Sequence, residues 1–458
     1  MAFRTFINRE EIACRGPPRL RDMHVMPIPR SRRTPGLNGG RGLLADELPL
    51  RPDISIAPER LQSLMILKGG KQVEEACRCI VANAILAYWQ GTRVHYSRDN
   101  TFYAAVRAGG APAWFSRKSV ASAVDQLVGS GFLKEWRTDP SPCARYRSRL
   151  GATPKLIDTI GLHNVSDLSW RSTPPVILRC RAERRLLNPN AVLNEAELAE
   201  LSSIAGDVEA HNQFLSAFEV ALEQDVAAAV PTGFVKAGDV YLNPHVRSYY
   251  RVFNGDLRHG GRWYGPFWQN VPSSLRPRLL INREPTLELD FASCQLRLMY
   301  ALVGLPDPLH GQIRTSDPTF DLYSIEGLDR DVVKLAVLIM ANAGSVRSAR
   351  RALALKLTSE PPENRWREAA RILTVVQAHF PALTPLWCSG VGLRLQRADS
   401  ELCAQIQREM RAQGLPTLSV HDSFISWRRA EQELRTAMQE AFMKTWDDIA
   451  LGNCKISP

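Results

Sequence analysis

The 458-residue chain has no C-x-x-C pair, no apolar run of membrane-spanning length and no apolar core behind its basic N-terminus. The first absence argues against a zinc ribbon, and an odd total of nine cysteines argues against a disulfide framework, so reduced thiols in a cytoplasm are expected. The other two absences argue against a secreted or membrane-spanning protein. Acidic residues are in deficit: 47 Asp and Glu stand against 58 Lys and Arg, a formal charge of +11. This balance favours a polyanionic partner, nucleic acid before membrane, although an Arg-rich genome produces the same bias without one.

Residues 1–50 are rich in Arg, Pro and Gly. They bury too little apolar surface to offset the cost of ordering, so a flexible basic tail is expected. Residues 51–165 suggest a compact unit. Its first helix runs from Val73 to Trp89 and its second, capped by Ser116, from Arg117 to Ser130, with Val120, Val124, Leu127 and Val128 on one face. GFLKEWR and a returning strand around Arg149 follow, the order of a winged helix. Arg117, Lys118, Arg145, Arg147 and Arg149 would then meet DNA phosphates; packing against protein is the alternative use of such a unit. Residues 166–254 suggest a helical linker region, reduced and thumb-like, with Glu195–Glu223 helical and strands flanking a turn at Asn243-Pro244.

The chemistry concentrates in TLELDFASCQLRLMYAL, a strand from Leu287 to Phe291 running into an amphipathic helix. Asp290 sits at the strand end among apolar neighbours, where a carboxylate needs a partner or a metal. Asp422 interrupts a second alternating run, LPTLSVHDSFISW. Alone, each aspartate reads as a turn or helix cap. Together on adjacent strands they make the carboxylate pair of a two-metal phosphoryl-transfer site, with Mg²⁺ (two ions, Mn²⁺ as substitute) held by few protein oxygens. Arg330 and Lys334, four apart in RDVVKLAVLIMANA, share a helix face between them. They suit a triphosphate clamp, or else a solvated basic face.

Five short elements in one order carry a resemblance: Gly261-Arg262, Gln269-Asn270-Val271-Pro272, Asp290 through Arg297, the helix with Arg330 and Lys334, and Val420-His421-Asp422-Ser423. In that order and spacing, residues 255–445 resemble the family A nucleic-acid polymerases, the bacterial polymerase I type. The resemblance implies an α+β chain in which the winged helix precedes a right-hand palm of antiparallel strands, with helical fingers inserted between Asp290 and Asp422, over residues 255–458. It implies Asp290, Asp422 and the Phe291 carbonyl as metal ligands, Arg330 and Lys334 at the nucleotide, and Arg262, Gln269, Asn270, Arg297, Gln396 and His421 along primer and template.

The chain departs from the family in four ways. Gln295 stands where DNA polymerases carry the glutamate that excludes the ribose 2′-hydroxyl. Leu338 and Asn342-Ala343 replace the aromatic and Tyr-Gly of the fingers. Ser423 follows the second aspartate where Glu is usual, as in single-subunit RNA polymerases. No acidic cluster suggests a proofreading exonuclease.

The expectation is a template-directed DNA polymerase of a mobile element, phage or plasmid, working on a DNA primer-template with nucleoside triphosphates, with room for a small helper protein. The alternatives are a single-subunit RNA polymerase or primase-like enzyme, a non-catalytic winged-helix replication protein with a degenerate palm, and a metal-dependent nuclease. The nuclease reading leaves Arg330 and Lys334 unexplained. Glu431–Trp446 should close the fold as a helix with Leu434, Met438, Ala441 and Phe442 inward.

Overall fold

A computed structural model describes residues 47–450 apart from 65–68, 109–110, 138–147, 171–172, 181–184, 226, 230–231, 239, 310–320 and 359. The expected tail up to residue 46, and Arg145 and Arg147, lie outside the described residues. The chain is a mixed α+β fold.

The N-terminal unit contains β1 (Glu47–Pro49), α1 (Lys71–Trp89), β2 (Arg93–Tyr96), α2 (Asn100–Ala108), α3 (Arg117–Gly129), β3 (Leu133–Trp136) and β4 (Ser148–Ala152). Its sheet runs β1-β2-β4-β3. The Ser116 hydroxyl caps α3 by accepting from the Ser119 amide at 3.2 Å, and Val120, Val124 and Leu127 are fully buried. Between the two helices legible in the sequence lie β2 and α2. Four and nine residues long, they are too short for periodicity to reveal.

Among the described residues the rest of the chain builds a small three-stranded sheet, Ala227–Ala229 with Val235–Ala237 and Val240–Leu242, and two sheets that position the site. The first takes β5 (Val176–Cys180), β7 (Tyr250–Asn254) and β8 (Asp256–Tyr264), with β7 at the centre of the trio. The second is a five-stranded antiparallel sheet in the order β11-β12-β10-β9-β6, from β6 (Val220–Leu222), β9 (Leu279–Ile281), β10 (Glu284–Asp290), β11 (Leu418–Val420) and β12 (Ser423–Trp427).

The helix before β6, α4, spans Glu195–Ser216 and starts from a capping box in which Asn194 and Glu197 satisfy each other's amides. It does not continue to Glu223. The chain leaves the helix at Ala217 and enters the sheet as β6, whose Val-Ala-Leu pairs with β9. Its fragment of apolar text is consistent with either state.

Between β10 and β11 come α5 (Cys294–Leu302), α6 (Arg330–Asn342), α7 (Val346–Ala354), α8 (Pro362–His379) and α9 (Gly392–Ala412), and α10 (Glu431–Ala450) closes the chain. Leu434, Met438, Ala441 and Phe442 of α10 are buried as their spacing requires. Phe442 packs 5.5 Å from the Phe291 ring, directly beneath the end of β10.

Candidate active site

Strand pairing assembles the site. In the β10–β12 ladder Thr286 faces Trp427 and Leu289 faces Phe424, and the register ends with Asp290 opposite Ser423. Asp422 is the residue before Ser423, and its carbonyl accepts from the Phe291 amide at 3.4 Å. Two aspartates distant in sequence thus come to one end of the ladder, Asp290 on its last pair and Asp422 in the turn beside it.

Both are presented by constrained backbone. Asp422 lies in the two-residue turn that joins Val420 to its ladder partner Ser423, and the first turn residue, His421, has φ +64°. Ser293, at the start of α5, has φ +52°. Five described non-glycine residues adopt positive φ, and these two flank the aspartates, where stored backbone strain commonly accompanies function.

A third carboxylate joins the pair. Asp399 of α9 is 2% exposed and accepts from Arg262 through Nε at 2.8 Å and Nη2 at 2.6 Å. Arg262 reaches it because β8 bulges where it pairs with β7 at Val252–Asn254. Gly261, at φ +83°, passes so close to α9 that a Cβ would lie 2.9 Å from the Ser400 hydroxyl.

Burial raises the Asp399 carboxyl above its usual range and Asp422 adds to the rise, while Arg262 opposes both. Burial weakens the Arg262 charge, but Asp399, Tyr264 and Asp422 outweigh it and its affinity for the proton rises. The buried Cys294 thiol feels Asp399, Asp422 and Asp290 together and is held protonated. Asp399 and Asp422 therefore act on each other and on Arg262, which is the counter-charge of both.

The two basic candidates stand on α6. The buried face of α6 is Val333, Ala336, Val337, Met340 and Ala341, and Asp329 caps the helix by accepting from the Asp331 and Val332 amides. Arg330 and Lys334 lie off that face and meet over Tyr323, at 5.8 and 5.9 Å from its ring centroid. Arg330 is also ion-paired to Asp321. Tyr323 is 4% exposed. Burial raises the pKa of its phenol, with Asp422 contributing to the rise, and Ser293 is close enough to lower it. This side chain links the basic helix to Asp422.

The remaining candidates are placed as follows. His421 packs edge-on to Tyr264 at 5.8 Å. The Gln269 amide donates to the carbonyls of Trp263 and Ser419 at 3.2 and 3.1 Å and accepts from the Gly265 amide at 3.1 Å, tying β8 to β11; Asn270 beside it is half-buried. Gln295 is half-buried on the first turn of α5 with its amide oxygen buried and unbonded. Ser423 donates to Glu288, which also pairs with Arg276 at 2.7 Å.

Leu338 is half-buried, and its carbonyl accepts from Asn342 at 2.8 Å. Gln396 is half-buried one turn ahead of Asp399. Arg297 is placed elsewhere. It is fully buried, forked onto Asp307 at 2.8 and 2.6 Å, and lies 4.0 Å over Phe442. In this conformation it supports α5 from inside the core, out of reach of any nucleic acid. Arg117 and Lys118 are exposed at the start of α3, with Arg117 donating to the Arg98 carbonyl at 2.8 Å.

Asp399 and Tyr323 were not among the candidates read from sequence. Asp399 carried a usable signal, because Leu395, Leu402, Cys403 and Ile406 place it on the buried stripe of α9. Tyr323 carried none.

Among the described residues no group of three or more His, Cys, Asp or Glu could hold a metal ion. Two carboxylates with a backbone oxygen nonetheless match what Mg²⁺ takes from a protein when water and phosphate complete its shell. No described helix is long and apolar enough to cross a membrane. No protein-family model matches the chain, and no curated protein matches it.

Proposed function

We propose that the chain is a template-directed nucleotidyltransferase of the polymerase I type, adding nucleotides to a primed DNA strand. The observation that carries this reading is the meeting of Asp290, at the end of its strand, with Asp422 in the turn beside its partner Ser423, together with a helix whose Arg330 and Lys334 meet over Tyr323. The five-stranded antiparallel sheet is then the palm and α6 with its neighbours the fingers.

In this reading Asp290, Asp422 and the Phe291 carbonyl hold Mg²⁺ (two ions, or Mn²⁺), which when bound supplies charge neutralisation at the phosphates. Arg330 and Lys334 bind the triphosphate, Arg330 by exchanging Asp321 for phosphate oxygens. Lys334 and Tyr323 orient it toward the two aspartates. Arg262, fixed by Asp399, presents its remaining N–H edge to the primer end, and Gln295 lies where the sugar would meet α5.

The N-terminal unit supports a winged-helix reading through its order α1-β2-α2-α3-β3-β4 with β4 between β2 and β3. The exposed Arg117 and Lys118 of α3 then face DNA. A second, non-catalytic reading as a DNA-binding replication protein is favoured by one observation. Asn342, where the family carries a tyrosine, bonds within its own helix and packs against Gly392, so it offers no stacking surface.

Primer extension decides between them. Purified protein, primed DNA, Mg²⁺ or Mn²⁺, and dNTPs or NTPs supplied separately should give extension that Asp422→Asn abolishes. DNA binding without any extension would establish the second reading instead.

A further inference from the structure

The helical hairpin beyond α6 carries a surface that the cleft does not use. In α7 the small and apolar residues Ala349, Ala352, Leu353 and Ala354 are buried, which leaves Arg347 and Arg351 exposed. Across from them α8 exposes Arg367 and Trp366, the latter 43% accessible. The Arg350 guanidinium lies 4.4 Å from the centre of the Trp366 ring, and its Nε donates to the Trp366 carbonyl at 2.9 Å. One face of the indole is therefore backed by a cation and fixed, while the rest stands in solvent.

Other basic groups of the hairpin are internally engaged: Arg371 forks onto Glu368, and Arg365 donates to the Glu360 carbonyl at 2.8 Å. Arg347 and Arg351 make no hydrogen bond or ion pair among the described residues, and Arg367 interacts only electrostatically with Glu368, which Arg371 already holds.

We infer that the α7–α8 face around Trp366 binds single-stranded nucleic acid, with a base stacked on the indole and Arg347, Arg351 and Arg367 along the phosphates. An exposed tryptophan flanked by unpaired guanidiniums suits unstacked bases, whose π-faces are accessible, better than a duplex, whose bases are stacked on one another. An acidic protein partner would use the same charges but has no need of a fixed indole face.

Position agrees. α6 is 13 residues long, about 20 Å at 1.5 Å per residue, so the hairpin begins at the end of α6 remote from Arg330. A strand there would be template on its way toward the cleft. The identity of that strand rests on the polymerase reading; the binding itself does not.

The test uses the full chain and a fluorescein-labelled 20-nucleotide oligothymidylate, read by anisotropy over a range of salt, beside an oligouridylate and a blunt duplex. Arg351→Gln/Arg367→Gln should reduce the slope of log K against log salt by about 1.4, since each single-strand phosphate contact contributes about 0.7. Trp366→Ala should weaken oligothymidylate binding about 10-fold with little change in slope, and Trp366→Phe should restore most of it. Duplex affinity should be unaltered in every variant. The ratio of the two oligonucleotide affinities identifies DNA or RNA as the strand.

Wild-type slope and affinity in all variants would overturn the inference and leave the face to a protein. Equal losses for single strand and duplex would overturn it in favour of a duplex surface. If the unmodified chain binds no nucleic acid at all, the inference is overturned and the functional reading fails with it.

Discussion

The carboxylate of Asp399 holds the guanidinium of Arg262 by two contacts, at 2.8 and 2.6 Å, inside a region that also contains Asp290 and Asp422. Without Arg262, nothing would oppose the burial and the nearby Asp422 that both raise the proton affinity of Asp399. The pair therefore sets the charge of the cleft as well as joining α9 to β8.

Breaking that pair should cost more than removing it. Asp399→Asn leaves a buried guanidinium without its counter-charge, and a loss of about 3 kcal/mol in unfolding free energy is expected. Replacing both residues with leucines of matching bulk should recover much of it. Urea titrations of the two variants check this, and equal stabilities would show that the ion pair is not the source of the effect.

Asp290→Asn and Asp422→Asn should each lower nucleotide incorporation at least about 1,000-fold, because either loss halves the protein's metal-binding charge. Far-UV circular dichroism and duplex binding should remain near wild type. Extension at the normal rate by either variant would remove that aspartate from the mechanism.

Lys334→Ala should raise the nucleotide KM about 10-fold and leave kcat less affected, as expected for a contact made before and during the chemical step. Tyr323→Phe removes the hydroxyl beside Ser293 but keeps the ring against the two cations, so it should give a smaller change in KM. Steady-state kinetics at saturating template distinguish the two, and an unchanged KM in Lys334→Ala would take that lysine away from the triphosphate.

Acid should destabilise the fold through His211. This ring is wholly buried between Tyr249 and Trp263, at 5.7 and 5.9 Å. Burial, reinforced by Arg411, lowers its pKa to about 3. The unfolded chain binds the proton near pH 6.5 and the folded one does not, so stability is complete above pH 6.5 and falls as pH drops toward 3. The slope attributable to this residue is about 1.4 kcal/mol per pH unit. Denaturation midpoints of wild type and His211→Asn, measured between pH 7 and pH 4, should diverge by that slope. Parallel curves would assign the acid sensitivity to other groups.

Long elements with strong periodicity were legible in advance: α1, α3, α10 and the β10 strand all fall close to where apolar spacing placed them, and α6 where the resemblance did. Short ones were not. β6 and β9 have three residues each, and their place in the sheet is decided by partners from elsewhere in the chain, which no local pattern encodes. The site divides the same way. Asp290 and Asp422 stood out because each interrupts an apolar alternation. Asp399 was hidden in RADSE, whose density of charge resembles a solvated helix until its register with Leu395 and Leu402 is counted. Tyr323 gains its role only from the folding of one loop against α6, and Arg297 lost its expected one because Asp307 and Phe442 enclose it.

The order of strands has a consequence for synthesis. β10 finds its neighbour β9 across the tight Asn282-Arg283 turn as soon as both leave the ribosome. Its other neighbour, β12, follows only after five helices have been made. At translation rates of about 5–20 residues per second, the open edge of β10 waits on the order of ten seconds for its partner. Throughout that interval the nascent chain holds Asp290 but not Asp422. It has an exposed strand available to other chains, and the two aspartates come together only when β12 docks.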